Sequence, residues 1–195
     1  MGNSRYLVEM NDISVEFPGV KALDRVHFNA VPGEVHVLLG ENGAGKSTIM
    51  KVLAGVNTNY TGTIIWKGEE ITARSVDEQR QRGVSIIFQE MNLLKNLTVA
   101  ENMFLGRQPL TKAGNIDWKK MNQDARALLD SINSDIPETA QVSALSVGQM
   151  QMVEIAKALS FHCDILIMDE PTSALTEKEV ESLFSIIQKL KSEGV

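Results

Sequence analysis

Glu34-Val-His-Val-Leu-Leu-Gly40-Glu41-Asn42-Gly43-Ala44-Gly45-Lys46-Ser47-Thr48-Ile-Met-Lys-Val-Leu-Ala54 is the stretch on which the fold turns. Residues 34–39 form a short apolar run suited to a buried strand, and residues 47–54 read as a helix. Between them Gly40 to Ser47 fits G-x-x-x-x-G-K-[ST]. Glycines at 40, 43 and 45 let such a loop turn and bring backbone N–H groups against phosphate oxygens with no side chain in the way. The helix that follows adds partial positive charge at its N-terminus. In this pattern Lys46 reaches the β- and γ-phosphates, the Ser47 hydroxyl is a Mg²⁺ ligand, and Thr48 can add a hydroxyl to the α-phosphate. With glycine near ~7% of residues, chance gives the pattern in on the order of one chain of this length in a hundred. Its place between an apolar run and a helix makes accident a poor account of it.

Bulk composition bounds the rest. A chain of 195 residues suggests one domain, and 43% hydrophobic with 23% charged residues suits a soluble globular core. The net charge of -6 argues against a general nucleic-acid binder. Cys163 has no second cysteine to pair with and reads as a small buried apolar residue. No apolar run approaches the ~20 residues of a membrane span, and no signal core follows Met1 to Arg5. The chain is therefore expected in the cytoplasm, with any membrane role arising through a partner.

Further elements follow from periodicity. Leu7 to Phe17, Val26 to Val31 and Val84 to Phe88 read as strands, and Tyr60 to Trp66 as an edge strand entered by a Thr61-Gly62 turn. Thr98-Val-Ala-Glu101 is a capping box opening one helix, and Asp117 can cap another from Trp118 to about Ile132. Residues 133–144 are loop-like. A helix from Gly148 to Leu159 places Met152, Ile155, Ala156 and Leu159 on one face. Thr176-Glu-Lys-Glu179 is another capping box, and Gly194 fits a helix stop. Strand and helix alternate at both ends around a helical insert near residues 93–160, an α/β arrangement.

Two more motifs carry chemistry. Ile165-Leu-Ile-Met-Asp169-Glu170 places two carboxylates at the C-terminal edge of a strand, where ligands of open α/β sheets bind. Asp169 would then hold the Mg²⁺ shell and Glu170 polarise an attacking water; an ordinary strand followed by surface acids is the competing account. Leu145-Ser146-Val147-Gly148-Gln149 reads as a capping box, S-x-x-Q, and at the same time as an open helix N-terminus with a hydroxyl, an anion site.

This last motif resembles the L-S-G-G-Q signature of the ABC ATPases, and it precedes Asp169 in the order this family shows. Ser173-Ala-Leu175 resembles the family's D-loop, Phe88-Gln89-Glu90 its Q-loop, and Phe17 before Pro18-Gly19-Val20 the aromatic that stacks on adenine. Taken alone, Phe17 could be a strand core residue and Gln89 a polar loop residue. The resemblance covers essentially the whole chain. A finer one is to the N-terminal cassette of bacterial sugar importers whose ATPase carries two fused cassettes, through residues 17–23, 40–46, 89–90, 101–107 and 151–159.

The resemblance implies a phosphate-loop NTPase core with an antiparallel β-subdomain and an inserted α-helical subdomain. It implies an ATPase coupled to carbohydrate import, with ATP and Mg²⁺ as cofactors. Phe17, Gly40, Glu41, Asn42, Gly43, Ala44, Gly45, Lys46, Ser47, Thr48 and Gln89 would contact nucleotide. Ser47, Gln89 and Asp169 would serve the metal, and Glu170 the catalysis. Ser146, Gly148 and Gln149 would close over the nucleotide of a second cassette in an ATP sandwich. Permease subunits in the membrane and a sugar-binding protein would be the other partners, at the cytoplasmic face. Two departures stand out. Thr176 replaces the usual D-loop Asp, which its capping box explains. The family's switch histidine lies beyond Val195, so the chain is expected to be part of a longer protein lacking here that histidine, the closing strands and the second cassette. A ribosome- or DNA-directed ABC protein is disfavoured by the acidic charge and the sugar-importer stretches, and a small kinase by the signature motif. Trp66 and Trp118 read as packing residues, the nine methionines as core filler, and His27, His36 and His162 as structural or exposed.

Overall fold

Loose alternation in the first residues produces a strand, β1 (Val8–Phe17), whose partner β2 (Val20–Ala30) returns antiparallel over the Pro18-Gly19 turn. The computed structural model describes residues 5–88, 91–171 and 175–195. The chain packs as two units, one built from Met1–Ser85, His162–Ile167 and Ile187–Val195, the other from Ile86–Phe161 and Met168–Ile186.

In the first unit β1 does not keep period two throughout. Val8 and Met10 are buried, and so are Ile13 and Val15. Asp12, at φ 54, absorbs the extra residue where the register against both neighbours shifts. Such a bulge sharpens twist without turning the apolar face outward. Gly62 passes so close to the carbonyls of Asn11 and Asp12 that only a residue without Cβ fits there.

The second partner of β1 is β3 (Thr61–Trp66), which also pairs with β4 (Glu69–Ile71), giving the order β2-β1-β3-β4. The expected edge strand is thus interior, and Thr61-Gly62 lies within it rather than in a turn. The reason is the next two residues: Lys67 at φ 51 and Gly68 at φ 84 form a two-residue hairpin turn with both φ positive, which folds β4 back onto β3. A short helix α2 (Val76–Gln81) follows, capped by the Ser75 side chain accepting from the Glu78 N–H.

Residues 34–40 depart from expectation. They form no strand, and Val35, Val37, Leu38 and Leu39 are 46%, 71%, 38% and 88% exposed. An apolar run becomes a strand only when neighbours take its N–H and C=O groups, and among the described residues no strand pairs with it. The helix α1 (Lys46–Leu53) does form beyond it and buries Ile49, Val52 and Leu53.

Strands β5 (Val84–Ile87) and β6 (Ile165–Met168) make a two-stranded sheet. The Ile165 N–H donates to the Gly83 carbonyl at 3.0 Å and the Asp169 N–H to the Ile87 carbonyl at 3.2 Å, so the two strands run the same way. Cys163, just before β6, is half-buried, and burial pushes its thiol up to about 11, so it stays protonated near neutral pH.

The second unit is helical. In α3 (Val99–Met103) the capping box closes as read, Thr98 accepting from the Glu101 N–H and the Glu101 carboxylate from the Thr98 N–H. Asp117 caps α4 (Trp118–Ser131), whose Met121, Ala125 and Leu129 recur every four residues and are fully buried. Trp118, expected to pack, is 53% exposed at the first position of α4, before the buried stripe begins, whereas Trp66 is buried. Helix α5 (Val147–Leu159) packs against α3 and α4 and buries Met152, Val153, Ile155 and Ala156. Arg107 ties the ends of α3 and α5: its guanidinium lies 3.9 Å from the Phe161 ring centroid and donates to the Met103 carbonyl and the Ser160 hydroxyl. The last helix is α6 (Glu177–Ser192), stopped by Gly194 at φ 91. No helix among the described residues is long and apolar enough to cross a membrane.

Leu129 gives the helical unit its simplest test. It is 0% exposed, so Leu129→Ala removes buried apolar surface and leaves a cavity. The expected loss is about 2–5 kcal/mol, read as a lower urea midpoint at unchanged slope.

Candidate functional site

The loop from Gly40 to Gly45 is shaped by Gly43 and Gly45, which no other residue replaces cheaply. Gly43 has φ 84 and Gly45, the N-cap of α1, has φ 88. A Cβ on Gly45 would lie 2.7 Å from Leu23 Cδ2 and 2.8 Å from the Ala22 carbonyl. Gly45→Ala should therefore cost about 1–3 kcal/mol of stability, measurable by urea unfolding, and displace the first turn of α1. Gly45 has no side chain to cap the helix, so the N-terminal amides of α1 receive no side-chain cap from it. Lys46 curls back, its Nζ donating to the carbonyls of Gly40 at 2.8 Å and Glu41 at 2.9 Å. The ammonium is thus held over the loop, and residues 40–44 are exposed to solvent. Phe17 ends β1 with 47% of its surface exposed, an aromatic face open to solvent in the same unit.

In the other unit Asp169 and Glu170 follow β6 directly, with Asp169 fixed through its N–H to Ile87. Glu170 has φ 47, in the left-handed region that side chains other than glycine avoid. Strain of this kind, about 1–3 kcal/mol, persists only where surroundings enforce it and is concentrated at functional positions. The sequence gives no sign of it.

Ser146 caps α5 as read: its hydroxyl accepts from the Gln149 N–H at 3.2 Å, and the Gln149 side chain accepts from the Ser146 N–H at 2.9 Å. The hydroxyl also donates to Glu179 Oε1 at 3.1 Å, a contact spanning 33 residues of sequence. A second carboxylate, Glu154 of α5, accepts from the Asn92 N–H at 3.1 Å. Gln89, Ser173 and Ala174 lie outside the described residues.

These features match a known group of proteins. The model of the ABC transporter family matches residues 23–173. The chain belongs to the ABC transporter family. The galactose/methyl galactoside import ATP-binding protein MglA of Salmonella typhimurium is 50% identical over 192 residues, covering 98% of this chain and 38% of that protein. A putative ribose/galactose/methyl galactoside import ATP-binding protein of Geobacillus kaustophilus is 52% identical over 191 residues, 97% of this chain and 38% of its relative. The ABC chain thus spans little more than a third of these relatives' length. Among solved structures, a nucleotide-free ATP-binding cassette from an ABC transporter has a TM-score of 0.85 at 27% identity, covering 97% of this chain and 79% of that one. A dimeric bacterial ABC transporter cassette has a TM-score of 0.79 at 25% identity, covering 95% and 83%. The α/β fold read from the sequence is that of an ABC cassette.

The first unit of the ABC cassette carries Phe17 and the loop Gly40, Glu41, Asn42, Gly43, Ala44, Gly45, Lys46, Ser47 and Thr48. The second carries Ser146, Gly148, Gln149, Asp169 and Glu170. Neither the contact of Glu154 with Asn92 nor the reach of Glu179 to Ser146 is marked in the sequence. The capping box T-x-x-E at Thr176 marked Glu179 as a local cap, but nothing in it pointed to a partner 33 residues away.

Proposed function

We propose that this cassette binds MgATP and hydrolyses it to drive carbohydrate import, as the ATPase partner of permease subunits and a sugar-binding protein. The observation that carries the nucleotide reading is the loop itself: a helix N-terminus without a side-chain cap, reached through glycines at positive φ, with the Lys46 ammonium held over it. Identity of 50–52% to sugar-import ATP-binding proteins along nearly the whole chain supports the cargo class.

In this reading the Gly40–Thr48 loop cradles the phosphates, Lys46 neutralises the β- and γ-phosphates, and Phe17 stacks on the base. Ser47, Asp169 and Gln89 offer hydroxyl, carboxylate and amide oxygens, a donor set suited to a hard cation such as Mg²⁺. That ion would supply charge neutralisation on the phosphates. Glu170 orients the attacking water in line with the γ-phosphate, and catalysis consists chiefly of positioning and electrostatic stabilisation. Two cassettes meet head to tail, and Ser146 and Gly148 of one, with Gln149, close over the nucleotide of the other. The permease holds the protein at the cytoplasmic face of the membrane.

The test is phosphate release from MgATP by the protein assembled with its permease in lipid vesicles. Turnover should rise when the sugar-binding protein arrives loaded with a galactose- or ribose-class sugar. Absence of ATP turnover in every assembly would overturn the reading, and turnover indifferent to the loaded binding protein would remove the cargo assignment alone.

A further inference from the structure

Glu179 serves two helices with one carboxylate. Its Oε2 accepts from the N–H and the hydroxyl of Thr176, both at 2.9 Å, which closes the capping box of its own helix α6. Its Oε1 accepts from the Ser146 hydroxyl, at the mouth of α5. The carboxyl group has room there because residue 148 is glycine: a Cβ on Gly148 would overlap it. The Thr176 N–H and hydroxyl, with a smaller contribution from the Ser146 hydroxyl, hold the Glu179 carboxyl below the usual carboxylate range, so it is ionised near neutral pH. A negatively charged group therefore occupies the position that offers an anion a hydroxyl, a helix N-terminus and a bare Cα.

We propose that Glu179 is a positioning residue that holds the Ser146 site shut with an internal carboxylate until a phosphate displaces it. The inference rests on the reading of Ser146 and Gly148 as the contact for a second cassette's nucleotide. Ser146 has one hydroxyl proton, and Glu179 holds it. A phosphate oxygen taking that proton would meet an adjacent like charge, so the carboxylate must leave before the phosphate can settle. The Thr176 bonds give it an alternative hold, since they use the other oxygen. Glu179 then sets the nucleotide concentration at which two cassettes close. It also gives Thr176, the departure from the common D-loop residue, a role: it anchors the carboxylate that reaches Ser146.

Glu179→Gln separates the two duties. A glutamine carbonyl can still accept from the Thr176 N–H and keep the box, but the side chain has no second anionic oxygen for Ser146. Association of the protein is followed by sedimentation velocity while the Mg²⁺ complex of the nonhydrolysable analogue AMP-PNP is titrated. Binding of a fluorescent ATP analogue to separate chains is measured at low protein concentration. The association midpoint should fall about two- to fivefold in Glu179→Gln, the span expected for one charge at a helix N-terminus, while single-chain binding stays unchanged. Glu179→Ala should shift the midpoint the same way and also lower the melting temperature, because it loses the cap; a purely structural role would move the melting temperature alone. A midpoint unchanged or raised in Glu179→Gln overturns the proposal. Ser146→Ala tells the two levels apart. If it weakens association while Glu179→Gln leaves it unaltered, only the role of Glu179 falls. If Ser146→Ala has no effect, the two-cassette reading falls and the proposal with it.

Discussion

Lys46→Ala should abolish tight MgATP binding, weakening it by at least about a hundredfold. The ammonium is held over the loop by the Gly40 and Glu41 carbonyls at 2.8 and 2.9 Å, so little ordering is needed when phosphates arrive and take over those bonds. The rest of the cradle consists of neutral N–H groups and a helix terminus, which supply partial charge only. Removing the one cationic side chain of the Gly40–Thr48 loop leaves the phosphates desolvated and short of balancing charge. Titration with a fluorescent ATP analogue checks this, with thermal melting as a control that the loop change has not unfolded the chain. Unchanged affinity would mean that the loop is not the nucleotide site.

Glu170→Gln should leave nucleotide binding intact and lower hydrolysis about 10²- to 10⁴-fold, the contribution typical of a positioned acid–base group. The amide keeps the size of the side chain and loses the charge that orients water. Glu170→Gly should be equally inactive and yet gain up to about 1 kcal/mol of stability, because glycine accepts φ 47 without strain, less the entropy it adds to the unfolded chain. Phosphate release and urea unfolding of both variants check the pair. Gain of stability with loss of turnover marks a residue kept strained for chemistry. A stability loss in Glu170→Gly would show that its side chain serves structure instead.

What the sequence disclosed was what neighbouring residues decide. The capping boxes at Thr98 and Ser146 close as read because donor and acceptor lie three residues apart, within one turn. Thr176 and Glu179 exchange the corresponding bonds for the same reason. Residues 165–168 form the strand that their unbroken apolar run indicated. What it hid depends on distant partners. Residues 34–39 carry a strand-like composition, yet pairing depends on a neighbour, and the run is exposed. Two local features are exceptions: the Lys67-Gly68 hairpin folds β4 onto β3 and makes β3 interior, and the Ser75–Glu78 cap opens α2. At the candidate site the loop glycines were legible through their conformational freedom. The seat of Glu179 on Ser146, the bond from Asn92 to Glu154 and the left-handed backbone of Glu170 were not, since each is set by tertiary packing.

The central claim is that one cassette's loop works with its partner's counterpart of Ser146, which in a pair of these chains is Ser146 itself, and complementation tests it directly. Lys46→Ala and Ser146→Arg chains are each expected to be inactive, the first without a phosphate site, the second with a bulky cation where a small hydroxyl caps α5. Mixed in equal amounts, they form hybrids in which the intact loop of the Ser146→Arg chain meets the intact Ser146 of the Lys46→Ala chain. Phosphate release from MgATP by the mixture, above that of either parent, is the predicted result. A mixture as inactive as its parents, under conditions where sedimentation shows hybrids forming, would contradict the account.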